Sequence, residues 1–136
     1  MELKKSIKIA AAGMRAQGMR LKVIAENLAN ANSLASTPGS DPYRRKVVTL
    51  QNVLDRSLNV RVVRVAGIQT DNSEFKKKHD AGHPAADKDG YVRMPNVNAL
   101  IEMMDMRQAH RSYEANLSII DVTKKMLNRT VDLLRD

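Results

Sequence analysis

The last forty or so residues of the chain, from Pro95 to Asp136, constrain its fold most strongly. Apolar residues recur there in alternating steps of three and four, the pattern of a helix that packs along its length against another helix. Asn96 or Asn98 can cap the start of this helix, and Glu102 lies where the helix dipole favours a negative charge. A helix of this length extends for about 60 Å. Its apolar seam therefore has to be buried by another long element. The seam comprises Met103, Met106, His110, Tyr113, Leu117, Ile120, Lys124, Leu127, Val131 and Leu134.

The start of the chain carries a second seam of the same period, in which only Gln17 is polar. Its helix either is capped by Ser6 or begins nearer Glu2. Gly13 and Gly18 each weaken an isolated helix by about 1 kcal/mol, but they let another backbone come close. The matching period predicts that the two terminal helices pair, and it leaves open whether they pair within one chain or between chains. This seam comprises Leu3, Ile7, Ala10, Met14, Gln17, Leu21, Ile24, Leu28 and Ala31.

The middle of the chain differs in composition from the two helical ends. Ser33–Pro42 is rich in proline, glycine and small hydroxyl residues, which predicts an irregular loop. Tyr43–Leu54 and Val62–Ile68 are rich in β-branched residues and predict two strands, joined by a turn at Asp55–Asn59. Gln69–Lys88 is polar and lacks periodicity, so we expect a mobile loop there.

The fold class that follows is mainly α with a small β insert. A turn at Asp87–Gly90 and a short extended segment at Tyr91–Pro95 lead into the C-terminal helix. The long terminal helices are expected to pair as a coiled coil around a short β-hairpin and the mobile loop. We predict one subunit over residues 1–136, divided into an N-terminal helix (1–32), a loop with the β insert (33–95) and the C-terminal helix (96–136).

Composition excludes several classes of protein. The chain has 136 residues and no Cys, so it uses no disulfide and no thiolate metal site. No run of about 18 apolar residues could span a membrane. The first residues look briefly like a secretory signal, but Lys8, Arg15 and Arg20 interrupt the apolar run, and we expect a mature helix instead.

The net charge of +8 raises an alternative function. A basic amphipathic helical module could bind an anionic membrane or a nucleic acid. Against this, the basic residues are spread along the chain and the N-terminal helix lacks Trp and Phe. Few aromatic side chains are available to stack on bases. Binding that falls steeply with salt would support this alternative.

Two histidines invite a metal-site interpretation. His79 and His83 stand four residues apart with Asp80 between them, which on a helix could place two ligands on one face. Gly82 and Pro84 argue against a helix there, and no third ligand is evident. We therefore interpret this segment as a solvated loop.

The remaining motifs give no catalytic chemistry. Asp87–Gly90 begins like a calcium loop, but Ala85 occupies the position of an earlier acid, so a hairpin turn is expected. His110 is expected to be a buried or half-buried seam residue that fixes register. No Ser, His and acidic residues form a recognisable nucleophile motif. We predict no enzyme, no cofactor and no metal.

Three blocks of sequence carry a family resemblance. The chain resembles the bacterial flagellar basal-body rod proteins and, among them, the proximal rod proteins of the FlgC family. The blocks cover both ends and the entry to the first strand, about two thirds of the chain, whereas residues 55–88 add little. The blocks are Ser6–Asn32 with Thr37–Gly39, then Pro42–Lys46, and finally Gly90–Val92, Pro95–Asn98, Glu102–Met103, Ala109 and Arg111–Leu117.

The resemblance implies a structural subunit and no catalyst. In that family the terminal helices pair into an inner coiled-coil layer, and subunits stack helically into the periplasm-spanning drive shaft of the motile flagellum. The implied partners are copies of the chain, other rod and axial proteins, and the flagellar type III apparatus, which exports subunits unfolded and without a cleaved signal. No nucleic acid or small-molecule substrate is expected.

The seams are the expected assembly site, and which of their contacts form within a chain stays open. The residues expected to carry subunit assembly are Leu3, Ile7, Met14, Leu21, Ile24, Leu28, Met103, Met106, Tyr113, Leu117, Ile120, Leu127, Val131 and Leu134.

Overall fold

In the computed structural model, which describes residues 2–135, the chain begins and ends with a long helix and has four strands between them in the sequence. The helices are α1 (Glu2–Ala29) and α2 (Ala99–Leu133). The prediction of a mainly helical chain with a small β insert is confirmed. The strands are β1 (Lys46–Asp55), β2 (Val60–Thr70), β3 (Lys76–His79) and β4 (Tyr91–Met94).

The strands form two separate two-stranded sheets, β1 with β2 and β3 with β4. Only residues 56–59 connect β1 to β2, and so short a connection requires an antiparallel hairpin. Asn59 takes a positive φ of 50° in this turn, a conformation that Asn tolerates better than most residues. β3 and β4 are antiparallel, with Lys76 opposite Met94 and His79 opposite Tyr91.

The prediction of a mobile loop over residues 69–88 is wrong in part. β2 continues to Thr70, and residues 76–79 form β3, so His79 lies on a strand and not in a solvated loop. The strand escaped prediction because all four of its side chains are exposed, which leaves no apolar alternation to detect. Its partner strand β4 supplies the buried Val92, and the ring of Tyr91 meets His79 edge to face at 5.2 Å.

The turn predicted before β4 is confirmed. Asp87 Oδ1 accepts hydrogen bonds from the backbone amides of Asp89 (3.0 Å) and Tyr91 (2.8 Å). Gly90 has a φ of 80°, and a Cβ at this position would lie 3.1 Å from both Ala81 and His79. A side chain at Gly90 would therefore be opposed by the backbone conformation and by the neighbouring residues.

The helix starts resolve two alternatives. Asn98 Oδ1 accepts from the amide of Leu100 at 3.1 Å, so Asn98 is the N-cap of α2. The N-terminal helix already includes Glu2, and Ser6 donates its hydroxyl to the carbonyl of Glu2 from inside the helix, so Ser6 is not a cap.

The described chain divides into two compact units. The first contains the described residues of Met1–Leu21, Val48–Gly67 and Arg107–Asp136, and the second contains Lys22–Val47 and Ile68–Met106. Each helix and each of the strands β1 and β2 contributes residues to both units.

Small side chains make the contacts of α1 in the first unit. A Cβ on Gly13 would lie only 2.9–3.1 Å from the side chain of Asn116, so the two helices approach closely there. Ala12 and Ala16 are buried, and they line one cleft together with Val63–Val65 of β2. Close approach of backbones accounts for the glycine and alanines on this helix.

The buried positions of α2 recur every seven residues. Glu102, Ala109 and Thr123 are buried, and Asn116 between them is half-buried. A seven-residue repeat is the spacing of a helix that stays in contact with a neighbour along its length.

Part of the predicted α2 seam is one position away from this stripe, whereas its members Met106, Tyr113 and Ile120 are half-buried. His110, Leu117 and Lys124 each follow a member of the repeat and are exposed. The prediction that His110 is buried or half-buried is wrong, and its Nε2 lies 3.3 Å from Glu114 on the same helix. The physical reason is that the closest helix contact selects small side chains, so the residue that follows each small one faces outward.

An ion pair joins α1 to the first hairpin. Lys8 Nζ lies 2.6 Å from Asp55 Oδ2 and donates to Ser57 Oγ at 2.9 Å. Hydrogen bonds from Lys8 and then from Ser57 hold the pKa of Asp55 well below its ordinary value.

The two glycines of α1 give a matched test of the helix contact. Gly18→Ala should raise the free energy of unfolding by about 1 kcal/mol, because Ala favours helix and its Cβ meets nothing within 4 Å. Gly13→Ala should gain less or destabilise, because the Asn116 amide must move away from the Ser112 carbonyl that it binds at 2.9 Å. Urea unfolding measures both variants, and Asn116→Ala should remove the difference between them. Equal effects of the two substitutions would contradict the contact.

The Lys8–Asp55 pair predicts a dependence of stability on pH. Because folding lowers the pKa of Asp55, its carboxylate stabilises the fold above the unfolded pKa of about 4, and this contribution is lost as the pH falls towards the folded pKa. Between about pH 6 and pH 3 the wild type should therefore lose more stability than Asp55→Asn. Urea midpoints across this range measure the effect, with Asp121→Asn as the control for net charge. Parallel profiles of wild type and Asp55→Asn would contradict the prediction.

Candidate functional site

The side-chain amide of Asn27, near the end of α1, joins three segments of the second unit. Its Oδ1 accepts from the amide of Lys46 and from the hydroxyl of Tyr43, both at 2.9 Å. Its Nδ2 donates to the carbonyl of Lys46 at 2.9 Å and to Glu102 Oε2 at 3.0 Å. Asn27 is 1% exposed, and every hydrogen-bonding position of its amide is used. These hydrogen bonds explain why Asn27, a poor helix former, lies inside α1.

Arg45, just before β1, is the cation at the centre of the same cluster. Its Nε lies 2.5 Å from Glu102 Oε1, and Asp71 and Asp105 lie 3.4 and 3.8 Å from its terminal nitrogens. Burial alone would lower the pKa of Arg45, but its bonds to Glu102 and Asp71 outweigh that effect and raise it. The guanidinium therefore stays charged and neutralises Glu102, which is 1% exposed.

Asn96 fixes the segment that follows β2. Its Nδ2 donates to the carbonyl of Asp71 and to the hydroxyl of Ser73, both at 2.9 Å, while its Oδ1 accepts from the amide of Arg45 at 2.7 Å. The backbone amide of Ser73 donates to Asp71, which is the largest cause that lowers the pKa of Asp71. Asn96, one of two residues predicted to cap α2, thus belongs to the polar cluster instead.

Two arginines hold the irregular segments around this cluster. Arg44 lies over the ring of Phe75 at 4.2 Å and donates to the carbonyl of Asp71. Arg93 pairs with Asp41 at 2.8 Å and also donates to the carbonyl of Gly39. The loop predicted at residues 33–42 is present, and Arg93 ties it to β4.

We call the cluster of Asn27, Arg45, Asp71, Asn96 and Glu102 the polar network. It holds the end of α1, the entry to β1, the loop after β2 and the start of α2. Tyr43 at its edge has a raised pKa because of burial first and then of the nearby Glu26 and Glu102. Each side chain of the network accepts or donates a hydrogen bond or balances a charge. These roles suit a structural site that holds several segments together.

The described residues give no sign of metal chemistry. No group of three His, Asp or Glu side chains within residues 2–135 could hold a metal ion. His83 Nδ1 accepts a hydrogen bond from the amide of Ala85 at 3.1 Å, which occupies one ring nitrogen. In the same part of the chain, neither helix is long and apolar enough to cross a membrane.

The predicted assembly residues divide by exposure. Met14, Tyr113 and Ile120 are brought together, because they line one apolar cleft of about 460 Å³ with Ala11 and Gly18. Ile24 is buried. The half-buried members are Leu3, Ile7, Met14, Leu21, Leu28, Met106, Tyr113 and Ile120, and the exposed members are Met103, Leu117, Leu127, Val131 and Leu134.

Sequence reasoning missed the polar network as a site. Its members other than Asp71 stood inside the family-like blocks, but nothing in their spacing showed that they meet. One usable signal was Asn27, because Asn inside a helical pattern is unfavourable unless its amide is bonded.

The polar network predicts a large cost for a small change. Glu102→Gln replaces one carboxylate oxygen by an amide donor, so the side chain can no longer accept from both Asn27 and Arg45. We expect a loss of about 2–4 kcal/mol in the free energy of unfolding, because Arg45 loses its nearest carboxylate or the buried amide of Asn27 faces a second donor. Glu114→Gln, an exposed change on the same helix, should cost less than about 0.5 kcal/mol. Urea unfolding of both variants provides the measurement, and similar losses would refute the importance of the network.

Comparisons with known proteins agree with the family-like blocks. Residues 88–133 match the family model described as flagellar basal body rod FlgEFG protein C-terminal. The flagellar basal-body rod protein FlgC of Agrobacterium fabrum is 50% identical over 128 residues, which cover 94% of this chain and 92% of that protein. The proteins of the same name from Borreliella burgdorferi and Bacillus subtilis are 38% and 34% identical, covering 99% and 94% of this chain and 99% and 95% of their own lengths.

These relatives are structural rod proteins and not enzymes, so the prediction of a non-catalytic protein of the flagellar basal body is confirmed. They give no support to the alternative of a membrane-binding or nucleic-acid-binding module. With three relatives at least 34% identical over nearly its whole length, the chain belongs to the flagellar basal-body rod protein FlgC family.

Proposed function

We propose that this rod protein stacks helically, with copies of itself and with other axial proteins, through α1 and α2. In this proposal it forms the proximal part of the rod, which crosses the periplasm and transmits rotation for motility. The flagellar type III apparatus would export it unfolded. The absence of Cys is compatible with such export, because no disulfide has to form or break on the way.

The observation that carries the stacking proposal is the apolar surface of α2. Leu117 is 42% exposed, Val131 is 55% exposed and Leu134, just after the helix, is 81% exposed. On α1, by contrast, the single large hydrophobic residue that is exposed among those described is Ile9. A monomeric protein rarely exposes so many apolar side chains along one element. We therefore infer that neighbouring subunits bury these side chains of α2. Contacts that do not close into a ring generate a helical filament.

The contacts between the helices support their pairing as a coiled coil. In the first unit Gly13 meets Asn116, and in the second unit Asn27 donates to Glu102. The buried positions of α2 repeat every seven residues, as a supercoiled pair requires. We infer that the half-buried members of the two seams shape this pair, and that the exposed members contact neighbouring subunits.

The cleft lined by Met14, Tyr113 and Ile120 extends the proposal to a specific contact. It is mainly apolar, with Arg15 as its one charged lining residue, about 460 Å³ in volume, and open at the surface of the first unit. A cleft of this size accepts one or two apolar side chains, and the flexible Met14 can adapt to them. We infer that a seam residue of a neighbouring subunit occupies it.

Leu117→Asp tests the stacking proposal. A carboxylate at this exposed position adds a charge to a contact that excludes water, which should abolish rod assembly and motility. The substitution should change the free energy of unfolding by less than about 0.5 kcal/mol, because Leu117 is exposed in the subunit. Swimming assays and isolation of basal bodies provide the measurement.

Asn52→Asp is the matched control, because it introduces the same charge at an exposed polar position of β1 instead of α2. Swimming should be normal in this variant. Normal basal bodies in Leu117→Asp cells would contradict the proposal, as would equal defects in the two variants.

A further inference from the structure

The C-terminal helix exposes apolar side chains on two sides of its packed positions. With about 100° per residue and the buried Ala109 at zero, Leu117 and Val131 fall between about 40° and 80°. We call these two exposed residues the seam stripe. A second group falls between about 220° and 280°, and we call it the outer stripe. The outer stripe consists of Ala115, Ile119, Val122, Met126 and Leu133, all exposed.

Each stripe has a charged edge, and the two edges carry opposite charge. Acids lie at about 120° to 140°, on the side of the seam stripe, and cations lie at about 160° to 200°, beside the outer stripe. The other edge of the outer stripe carries the uncharged Ser112 and Thr130. The acidic edge consists of Glu114, Asp121 and Asp132, and the cationic edge consists of Arg107, Arg111, Lys125 and Arg129, all exposed.

The charges of the two edges are largely unpaired within the described chain. Glu114 lies 3.3 Å from Nε2 of His110, and the other members of the two edges form no ion pair with a described residue. Arg111 and Arg129 each stand three residues before an acid on the same helix, yet they do not pair with it. These side chains can therefore pair with a neighbouring molecule.

We propose that the outer stripe of one copy packs on the seam stripe of the next copy, with the two α2 helices parallel and the cationic edge of the first against the acidic edge of the second. The inference rests on the proposed stacking function and adds to it the two surfaces that meet. Because the contact joins different surfaces of identical chains, it is heterologous and repeats from copy to copy. Copies in a helical stack also keep the same direction along its axis, as parallel helices require.

The order of these features around α2 selects the parallel arrangement. The acids and then the cations lie between the seam stripe and the outer stripe on the helix surface. When the outer stripe of one helix faces the seam stripe of a parallel helix, the cations of the first and the acids of the second lie on the same side of the contact. Reversing one helix moves its charged edge to the opposite side, where Ser112 and Thr130 or the packed positions offer no matching charge.

Other contacts between two copies do not combine these features. Copies that met through the same stripe would form a closed dimer, which cannot extend through that stripe. Two outer stripes packed antiparallel would also set cations against cations. The α1 of another copy carries six cations and two acids, so it would bring mainly like charge to the cationic edge.

The spacing of the charges predicts a register for the contact. Arg111 precedes Glu114 by three residues, and Arg129 precedes Asp132 by the same number. A shift of about 5 Å along the axis, the rise of three residues, therefore brings both arginines level with an acid of the next copy. Lys124 lies between the members of the seam stripe, and its stem can lie along apolar side chains while its ammonium reaches water.

Site-specific photo-crosslinking in motile cells tests the contact with the full chain. A benzophenone amino acid at Val122 of the outer stripe should give a crosslinked dimer, and mass spectrometry should locate the captured residue within residues 117–131 of the second copy. A product with a different protein and none with a second copy would overturn the inference, as would no product at all.

The same probe at Leu117 reports the stacking function separately. If Leu117 captures a rod protein while Val122 captures no second copy, the stacking function stands and the inference fails. If neither position captures a rod protein, both fail.

Charge reversal in mixed copies gives an independent measurement. The outer variant makes the cationic edge mainly acidic through Arg111→Glu, Lys125→Glu and Arg129→Glu. The seam variant makes the acidic edge cationic through Glu114→Arg, Asp121→Lys and Asp132→Arg. Either variant alone should lower the dimer yield of the probe at Val122 about tenfold, because edges of like charge then meet. When both are expressed together, alternating copies present opposite edges at every contact, and the yield should return to within about twofold of the wild type.

Recovery in the mixture reports a contact between copies, because each chain keeps its own substitutions and thus its own charge pattern. The control reverses Lys76, Lys77 and Lys78 to Glu on β3, which changes the net charge as much as the outer variant and should leave the yield unchanged. Circular dichroism checks that the variants keep their helix content. Undiminished yields from the single variants, or no recovery in the mixture, would also overturn the inference.

Discussion

The second unit depends on one buried hydrogen-bonding group, the side-chain amide of Asn27. It binds the backbone of Lys46 as a neighbouring strand would, and it reaches Glu102 at the start of α2. Glu102 in turn is neutralised by Arg45. These contacts join segments that are distant in the sequence, so the end of one helix and the beginning of the other are held by the same few atoms.

Close packing through small side chains has a consequence for assembly. Gly13 and the alanines of α1, with Ala109, Asn116 and Thr123 of α2, occupy the positions of contact within the subunit. Several larger apolar residues of α2 are then left exposed, although Met106, Tyr113 and Ile120 are half-buried. A helix that used its leucines within the subunit would have little apolar surface to offer a neighbour, whereas this one keeps Leu117 and Val131 exposed.

In the proposed assembly, the distribution of charge would add selectivity to the contacts of this apolar surface. The chain carries a net charge of +8, and α1 is strongly cationic. Copies that met through their most basic surfaces would repel each other. A rod built from several kinds of subunit can use that repulsion, because it disfavours contacts between identical faces and favours contacts with acidic neighbours.

The sequence by itself determined the two long helices, the small β insert between them, the turn before β4 and the family, because periodicity, turn residues and local motifs carry that information. Tertiary structure decided which residues of α2 make the closest contact. Hydrophobicity pointed to Leu117, but the close approach of Gly13 selected Asn116, one residue earlier. The contacts among Asn27, Arg45 and Glu102 also became known only from the tertiary structure. A hydrogen bond between residues distant in the sequence produces no periodic pattern that could predict it. The all-polar strand β3 was hidden for the same reason: its pairing with β4 is a long-range fact.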